Sequence, residues 1–178
     1  MSKIIFVSGV HGVGKTYFCN SLKQQYQFSH YSASQLIAKV KHKTFNQSKR
    51  VGEIKENQDY LISAIAGLNI NNEVMLLDGH FCIVNQSSEI IRLPDVTFRK
   101  LSPVGIILLM ENPHIVYQRL QQRDNVSAFD LNFIGKLQEE EKKYSEEISN
   151  LLNVPQYIYS SDDNNVGLDK FINTIVEL

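Results

Sequence analysis

The feature that most constrains this chain is the stretch of residues 9–16, which reads G-V-H-G-V-G-K-T and fits the pattern G-x-x-x-x-G-K-[ST] in full. An apolar run at residues 4–7 precedes it, and a stretch compatible with a helix, residues 17–26, follows it. The motif requires this context, because such a loop joins a buried strand to a helix N-terminus where backbone N–H groups face an anion. The sequence therefore predicts a nucleoside triphosphate site.

The chemistry of this loop assigns a role to each type of residue in it. Glycine allows the backbone N–H groups to turn inward around a phosphate. Lys15 is expected to reach the outer phosphates, and Thr16 to place its hydroxyl on Mg²⁺. His11 occupies a variable position and is expected to point outward. The residues of this region predicted to bind the nucleotide are Gly9, His11, Gly12, Val13, Gly14, Lys15, Thr16 and Tyr17.

Length, charge and cysteine spacing limit the classes of protein to which this chain can belong. A chain of 178 residues predicts a single domain, residues 1–178, with a sizeable core. A net charge of -1 argues against broad electrostatic capture of nucleic acid or of an acidic membrane. The two cysteines, Cys19 and Cys82, lack metal-ligand spacing, and Cys19 is expected in the core.

The start of the chain and the length of its apolar runs indicate where in the cell the protein is expected. Met1 leads almost directly into a predicted strand, so no signal peptide is expected. The longest apolar run, residues 104–110, is far too short to span a bilayer. We therefore expect a cytoplasmic protein with no membrane partner.

Apolar runs that alternate with helical patterns predict an α/β fold with a parallel sheet. The strand candidates are residues 4–7, 28–31, 74–77, 104–110 and 156–159. A long helix is predicted from about Ala128 to Leu152, and the charge run at residues 139–143 is interpreted as its solvated face.

The segment of about residues 79–102 does not follow this alternation. Residues 81–84 and 89–92 are apolar runs separated by four polar residues, which predicts a small hairpin. The segment follows the third strand and therefore lies at the carboxyl edge of the sheet, where open α/β folds bind ligands. An insert at this edge would contribute to specificity or bind a partner.

Asp78 and His80 follow this same strand. An apolar strand that ends in Asp78 delivers a carboxylate able to hold a Mg²⁺ water or to accept a substrate proton. The alternative is a turn or capping aspartate. Gly79 would allow close backbone approach to a ligand, and His80 is either structural or a hydrogen-bonding partner of the substrate.

Basic residues lie in two further segments. Arg119 and Arg123 are four residues apart on a predicted helix, before a short lid of about residues 123–129, and suit adenine stacking and stabilisation of phosphoryl charge. A pair of surface arginines is the alternative. Lys49 and Arg50 end a basic flap of about residues 33–52, which is either a solvated face or a contact for an anionic acceptor.

With these residues in this order, the chain resembles the P-loop nucleoside monophosphate kinase group, and within it the small archaeal-type adenylate kinase-like proteins. The resemblance is carried by residues 9–16, 77–80 and 113–124. It implies a three-layer sandwich around a five-stranded parallel sheet in the order 2-3-1-4-5. It also implies ATP on the loop, Arg119 on the adenine and Arg123 on the phosphates.

The chain departs from this group at the acceptor site. Common adenylate kinases carry an arginine for the acceptor phosphate, whereas residues 32–37 here read S-A-S-Q-L-I. An acceptor phosphate would have to be held by other residues of the chain. The residues predicted to bind the acceptor are Lys49, Arg50, His80 and Arg92.

The sequence therefore favours a small-molecule kinase that transfers the γ-phosphoryl group of ATP to a nucleotide or nucleoside. Lys15, Arg123 and Asp78 are its predicted catalytic residues, and Mg²⁺ would be held by Thr16 and, through water, by Asp78. The alternative is an ATP-dependent switch or slow ATPase that acts through a protein partner. Nucleic acid is expected as a partner only as a polynucleotide end that accepts phosphate.

Overall fold

The computed structural model describes residues 3–44, 54–68, 74–124 and 129–177, and within them it contains seven strands and seven helices. The strands are β1 (Lys3–Ser8), β2 (Ser29–Ser32), β3 (Val74–Asp78), β4 (Cys82–Val84), β5 (Ile90–Arg92), β6 (Gly105–Leu109) and β7 (Gln156–Tyr159). The helices are α1 (Lys15–Tyr26), α2 (Ala33–Thr44), α3 (Ile54–Ala66), α4 (Asp95–Leu101), α5 (Pro113–Asp124), α6 (Leu131–Leu152) and α7 (Val166–Glu177).

Five of the strands form one parallel sheet in the order β2-β3-β1-β6-β7, which confirms the predicted topology. The central strands β1, β3 and β6 are buried along almost their whole length. Their continuous apolar sequences fit this position, because a parallel sheet is covered by helices on both faces. Cys19 of α1 is fully buried in the core, as predicted.

The register of the sheet brings the functional segments to its carboxyl edge. Asp78 is paired with Val7 of β1 and with Ser32 of β2. The phosphate loop follows β1 and α2 follows β2, so both begin beside Asp78. The Gly79 N–H donates to the Val7 carbonyl at 3.0 Å and continues this alignment past the strand end.

The predicted hairpin in the segment after β3 is confirmed, since β4 and β5 pair antiparallel. The helix α4, which follows β5, was not predicted. Phe81 and Phe98 of this segment are almost fully buried and pack on Phe6, with ring centroids 5.1 and 5.5 Å from that ring. The segment is therefore part of the core at the carboxyl edge of the sheet.

The long helix α6 begins at Leu131 because Asp130 caps it, with a side-chain oxygen that accepts from the Phe133 N–H at 2.7 Å. Its predicted start near Ala128 lies outside the described residues. The interpretation of residues 139–143 as a solvated face is wrong at Glu141, which is 1% exposed. Of the helices in the described ranges, none is long and apolar enough to cross a membrane.

Candidate active site

The phosphate loop has the backbone that its glycines permit. Gly9, Gly12 and Gly14 have φ values of +145°, +80° and +108°, which side-chain-bearing residues rarely adopt. A Cβ atom on Gly9 would also lie 2.8 Å from the Leu109 carbonyl oxygen. Helix α1 follows without a side-chain cap, so the N–H groups of its first turn point toward the loop and suit an anion.

Lys15 lies across this loop. Its Nζ donates to the Gly9 carbonyl at 2.6 Å and to the Val10 carbonyl at 3.1 Å, which leaves one of its three N–H donors for a phosphate oxygen. Burial lowers the pKa of Lys15 to about 8, against the opposing effect of the Glu141 and Asp78 carboxylates. The side chains of Thr16 and His11 are exposed.

Glu141 of α6 is a charged residue of this site that the sequence analysis missed. Its carboxylate accepts from the Phe81 N–H at 2.8 Å and from the Cys82 N–H at 2.7 Å. Burial raises its pKa to about 7, although these two N–H groups and the charge of Lys15 oppose the shift. The residue therefore connects α6, the turn after β3 and the lysine of the phosphate loop.

A second polar residue of α6 fixes the segment after β6. Gln138 accepts from the Glu111 N–H at 3.1 Å and donates to the Glu111 carbonyl at 2.9 Å. The Glu111 carboxylate lies 3.4 Å from Nη2 of Arg119, whose Nη1 donates to the Val13 carbonyl at 2.9 Å. Arg119 is thus held against the phosphate loop.

A cavity of about 610 Å³ opens beside Arg119. It lies between α1, α5 and the segment after β7. Its walls include Val13, Gly14, Tyr17, Phe18, Arg119 and Tyr159. The volume falls in the range of small-molecule and cofactor sites. The cavity combines an aromatic and apolar wall with a guanidinium group, which suits a nucleoside next to the phosphate loop.

Asp78 is 7% exposed at the end of β3, and its Oδ2 lies 2.6 Å from Nε2 of His30. The sulfur of Cys19 lies within 4.8 Å of the ligand atoms of both residues, a proximity that their spacing in the sequence did not indicate. Burial raises the pKa of the Cys19 thiol far above its usual range, which keeps it protonated and a poor metal ligand. Asp78 and the hydroxyl of Thr16 supply the oxygen donors that Mg²⁺ prefers.

A smaller cavity, of about 240 Å³, lies on the other side of the phosphate loop. It is bounded by α2, α3, α4 and the end of β3, and its walls include His11, Asp78 and His80. The rings of His11 and His80 are 4.3 Å apart. Burial and the charge of Lys15 hold the pKa of His80 well below its usual value, so His80 is a neutral hydrogen-bonding group.

The remaining predicted site residues are not among the described walls of either cavity. Arg92 pairs with Glu140 at 2.5 Å and Glu147 at 2.7 Å on α6, so it ties the hairpin to that helix and lines neither cavity. This placement does not agree with a role for Arg92 in acceptor binding. Arg123 is exposed in the last turn of α5. Lys49, Arg50 and most of the predicted lid lie outside the described residues.

Comparison with known proteins gives a family and a fold. A family model described as an AAA domain matches residues 8–131, more than half of the chain. No curated protein matches. A gluconokinase from Sinorhizobium meliloti 1021 superposes with a TM-score of 0.54 at 11% identity, covering 99% of this chain and 91% of that chain. An uncharacterized protein from Eubacterium ventriosum ATCC 27560 superposes with a TM-score of 0.50 at 13% identity, covering 98% of both chains.

Proposed function

This chain belongs to the AAA domain family, and we propose that it is an ATP-dependent small-molecule kinase. The observation that carries the proposal is a phosphate loop with a cavity on each side. Val13 and Gly14 line the larger cavity, and His11 lines the smaller one. A phosphotransferase needs two such sites with the triphosphate between them, whereas a simple ATPase needs only one.

The larger cavity would hold the nucleoside of ATP. Arg119 is fixed there by the Val13 carbonyl, so its guanidinium group can stack on the base. The triphosphate would extend over the loop to the first turn of α1 and to the remaining N–H donor of Lys15. Thr16 and Asp78 would hold Mg²⁺, Asp78 through water, and the ion would neutralise charge on the transferring phosphoryl group.

The smaller cavity would hold the acceptor, for which we propose a nucleotide or nucleoside, as in adenylate kinase-like proteins. Asp78 and the neutral His80 line this cavity, next to the phosphate loop. Where the acceptor is an alcohol, the Asp78 carboxylate is the residue able to take its proton. Arg123, exposed in the last turn of α5, would contribute positive charge to the transferring phosphoryl group.

The test is product formation from Mg-ATP with a panel of nucleoside monophosphates, nucleosides, polyols and oligonucleotide ends. A phosphorylated acceptor formed with an equal amount of ADP would support the kinase. Lys15→Ala should abolish turnover, and Lys23→Ala, an exposed lysine in the last turn of α1, is the matched control. ATP binding without any phosphorylated acceptor would overturn the kinase proposal in favour of an ATP-dependent switch with a protein partner.

A further inference from the structure

We propose that His30 is a positioning residue for Asp78, and that it holds the carboxylate in the orientation that phosphoryl transfer requires. The inference rests on the proposed kinase function and adds to it a residue that acts without touching ATP or the acceptor. It depends on three features of the structure: the hydrogen bond between the two side chains, the low exposure of that bond, and the fixed main chain of Asp78.

The hydrogen bond joins Nε2 of His30 to Oδ2 of Asp78 at 2.6 Å. An ionised carboxyl group has only acceptor oxygens, so the imidazole N–H is the donor. A hydrogen bond to a charged acceptor is shorter and stronger than one between neutral groups, and this distance fits that type. Because a carboxylate has two oxygens, the bond leaves Oδ1 to accept from a Mg²⁺ water or from an acceptor hydroxyl.

The bond lies where the protein has little contact with water. The side chains of His30 and Asp78 are 11% and 10% exposed. The sulfur of Cys19, on α1, lies within 4.8 Å of a ring nitrogen of His30 and of a carboxylate oxygen of Asp78. Water is therefore a poor substitute for the imidazole, and a carboxylate that lost this donor would be left incompletely paired.

The main chain of Asp78 is already fixed by the sheet. Strand β3 pairs with β1 and β2, where Asp78 lies opposite Val7 and Ser32. The freedom that remains to the carboxylate is rotation of its own side chain. His30, two residues before Ser32 and on the same face of β2, restricts that rotation. Such restriction matters because a displacement of about 1 Å in an active site can cost about 100-fold in rate.

His30 is placed to act through Asp78 rather than on a ligand. Asp78 is among the walls of the smaller cavity, whereas His30 is not among the described walls of either cavity. The role requires no proton transfer by the imidazole, only that its N–H stays directed at Oδ2. Loss of His30 should therefore lower kcat and change the KM for ATP little.

The experiment compares two amide variants in phosphoryl transfer from Mg-ATP to nucleoside monophosphates, nucleosides, polyols and oligonucleotide ends. His30→Gln keeps an N–H donor near the position of Nε2, whereas the shorter side chain of His30→Asn does not reach Oδ2. We expect His30→Asn to lower kcat about 10- to 100-fold, a loss typical of groups that orient a metal-site carboxylate, and His30→Gln to retain most of kcat. His114→Asn is the matched control, at an exposed histidine of α5 that is not among the described walls of either cavity.

A double-mutant cycle separates positioning from a purely structural role. If His30 acts through Asp78, adding His30→Asn to Asp78→Asn should lower kcat no further. A structural role in β2 would instead reduce kcat in the Asp78→Asn background as well. Each variant is first unfolded in urea, and kcat is compared under conditions in which all of them are folded.

The outcomes separate this inference from the proposed function. Loss of kcat in His30→Asn, retained kcat in His30→Gln and no added loss beside Asp78→Asn support it. An active kinase in which His30→Asn keeps the wild-type kcat, or loses as much kcat beside Asp78→Asn as alone, overturns the inference and leaves the kinase standing. An equal loss in both amide variants does the same. No phosphorylated product from the wild type, with ATP bound, overturns the kinase and this inference together.

Discussion

The buried carboxyl of Glu141 makes this protein less stable as the pH rises. Its pKa is raised from 4.5 to about 7 in the folded protein, because ionisation there has to occur away from water. Below pH 4.5 the group is protonated in both the folded and the unfolded chain. Between pH 4.5 and pH 7 the unfolded chain ionises this group while the folded chain still holds its proton, so stability falls as the pH rises and the loss is complete above about pH 7. The shift corresponds to about 3 kcal/mol of unfolding free energy between pH 4.5 and pH 7.

Glu141→Gln removes this titration and keeps the size of the side chain. The glutamine amide cannot accept from both the Phe81 and Cys82 N–H groups, which costs about 1–3 kcal/mol at every pH. The pH-dependent loss, however, is present only in the wild-type protein. We therefore expect the unfolding free energy of the wild type to fall by about 3 kcal/mol relative to that of the variant between pH 4.5 and pH 7.

Urea unfolding at half-unit pH steps measures this difference. Glu139→Gln is the matched control, because Glu139 lies in the same charge run but is exposed, and its difference from wild type should stay flat with pH. A flat difference for Glu141→Gln as well would refute the reasoning, since it would mean that the carboxyl ionises as readily in the folded chain as in the unfolded one.

Three further outcomes follow from the site. ATP affinity measured by calorimetry should fall as the pH rises through about 8, because Lys15 loses its positive charge there. An affinity that stays the same between pH 7 and pH 9 would contradict this. Asp78→Asn should lower kcat by about a hundredfold or more in acceptor assays and change the KM for the acceptor little, as expected for a proton acceptor. Gly79→Ala should lower the unfolding free energy by about 1–3 kcal/mol in urea, because its Cβ would lie 2.9 Å from Cζ of Phe6; an unchanged midpoint would exclude that clash.

The sheet could be predicted because its signal is local. Each central strand is a continuous apolar run, and the phosphate loop marks which strand is first and where α1 begins. The order of the strands came from the resemblance to a known group rather than from the residues themselves. The sequence analysis assigned Gly79 to close approach of the backbone to a ligand, whereas in the structure its missing side chain makes room for Phe6 in the core.

The interior polar residues of the site were harder to predict, since their significance depends on contacts between distant segments. Glu141 lies in a run of charges, which suggested solvent, although it stands four residues after Leu137 and three before Tyr144, both buried on the same face of α6. That spacing was the available signal.

The segment after β2 lacks the arginine that the adenylate kinase resemblance implies for the acceptor phosphate. In the segment where the adenylate kinase resemblance implies an arginine, this chain places Ser32 and Ser34, whose hydroxyl oxygens are 3.0 Å apart and whose residues line the smaller cavity. Loss of an arginine alone would leave an anionic acceptor without its counter-charge. An anionic acceptor in this cavity would therefore depend on other cations, and Lys15 is a cation whose charge acts on both Asp78 and His80 of the cavity wall.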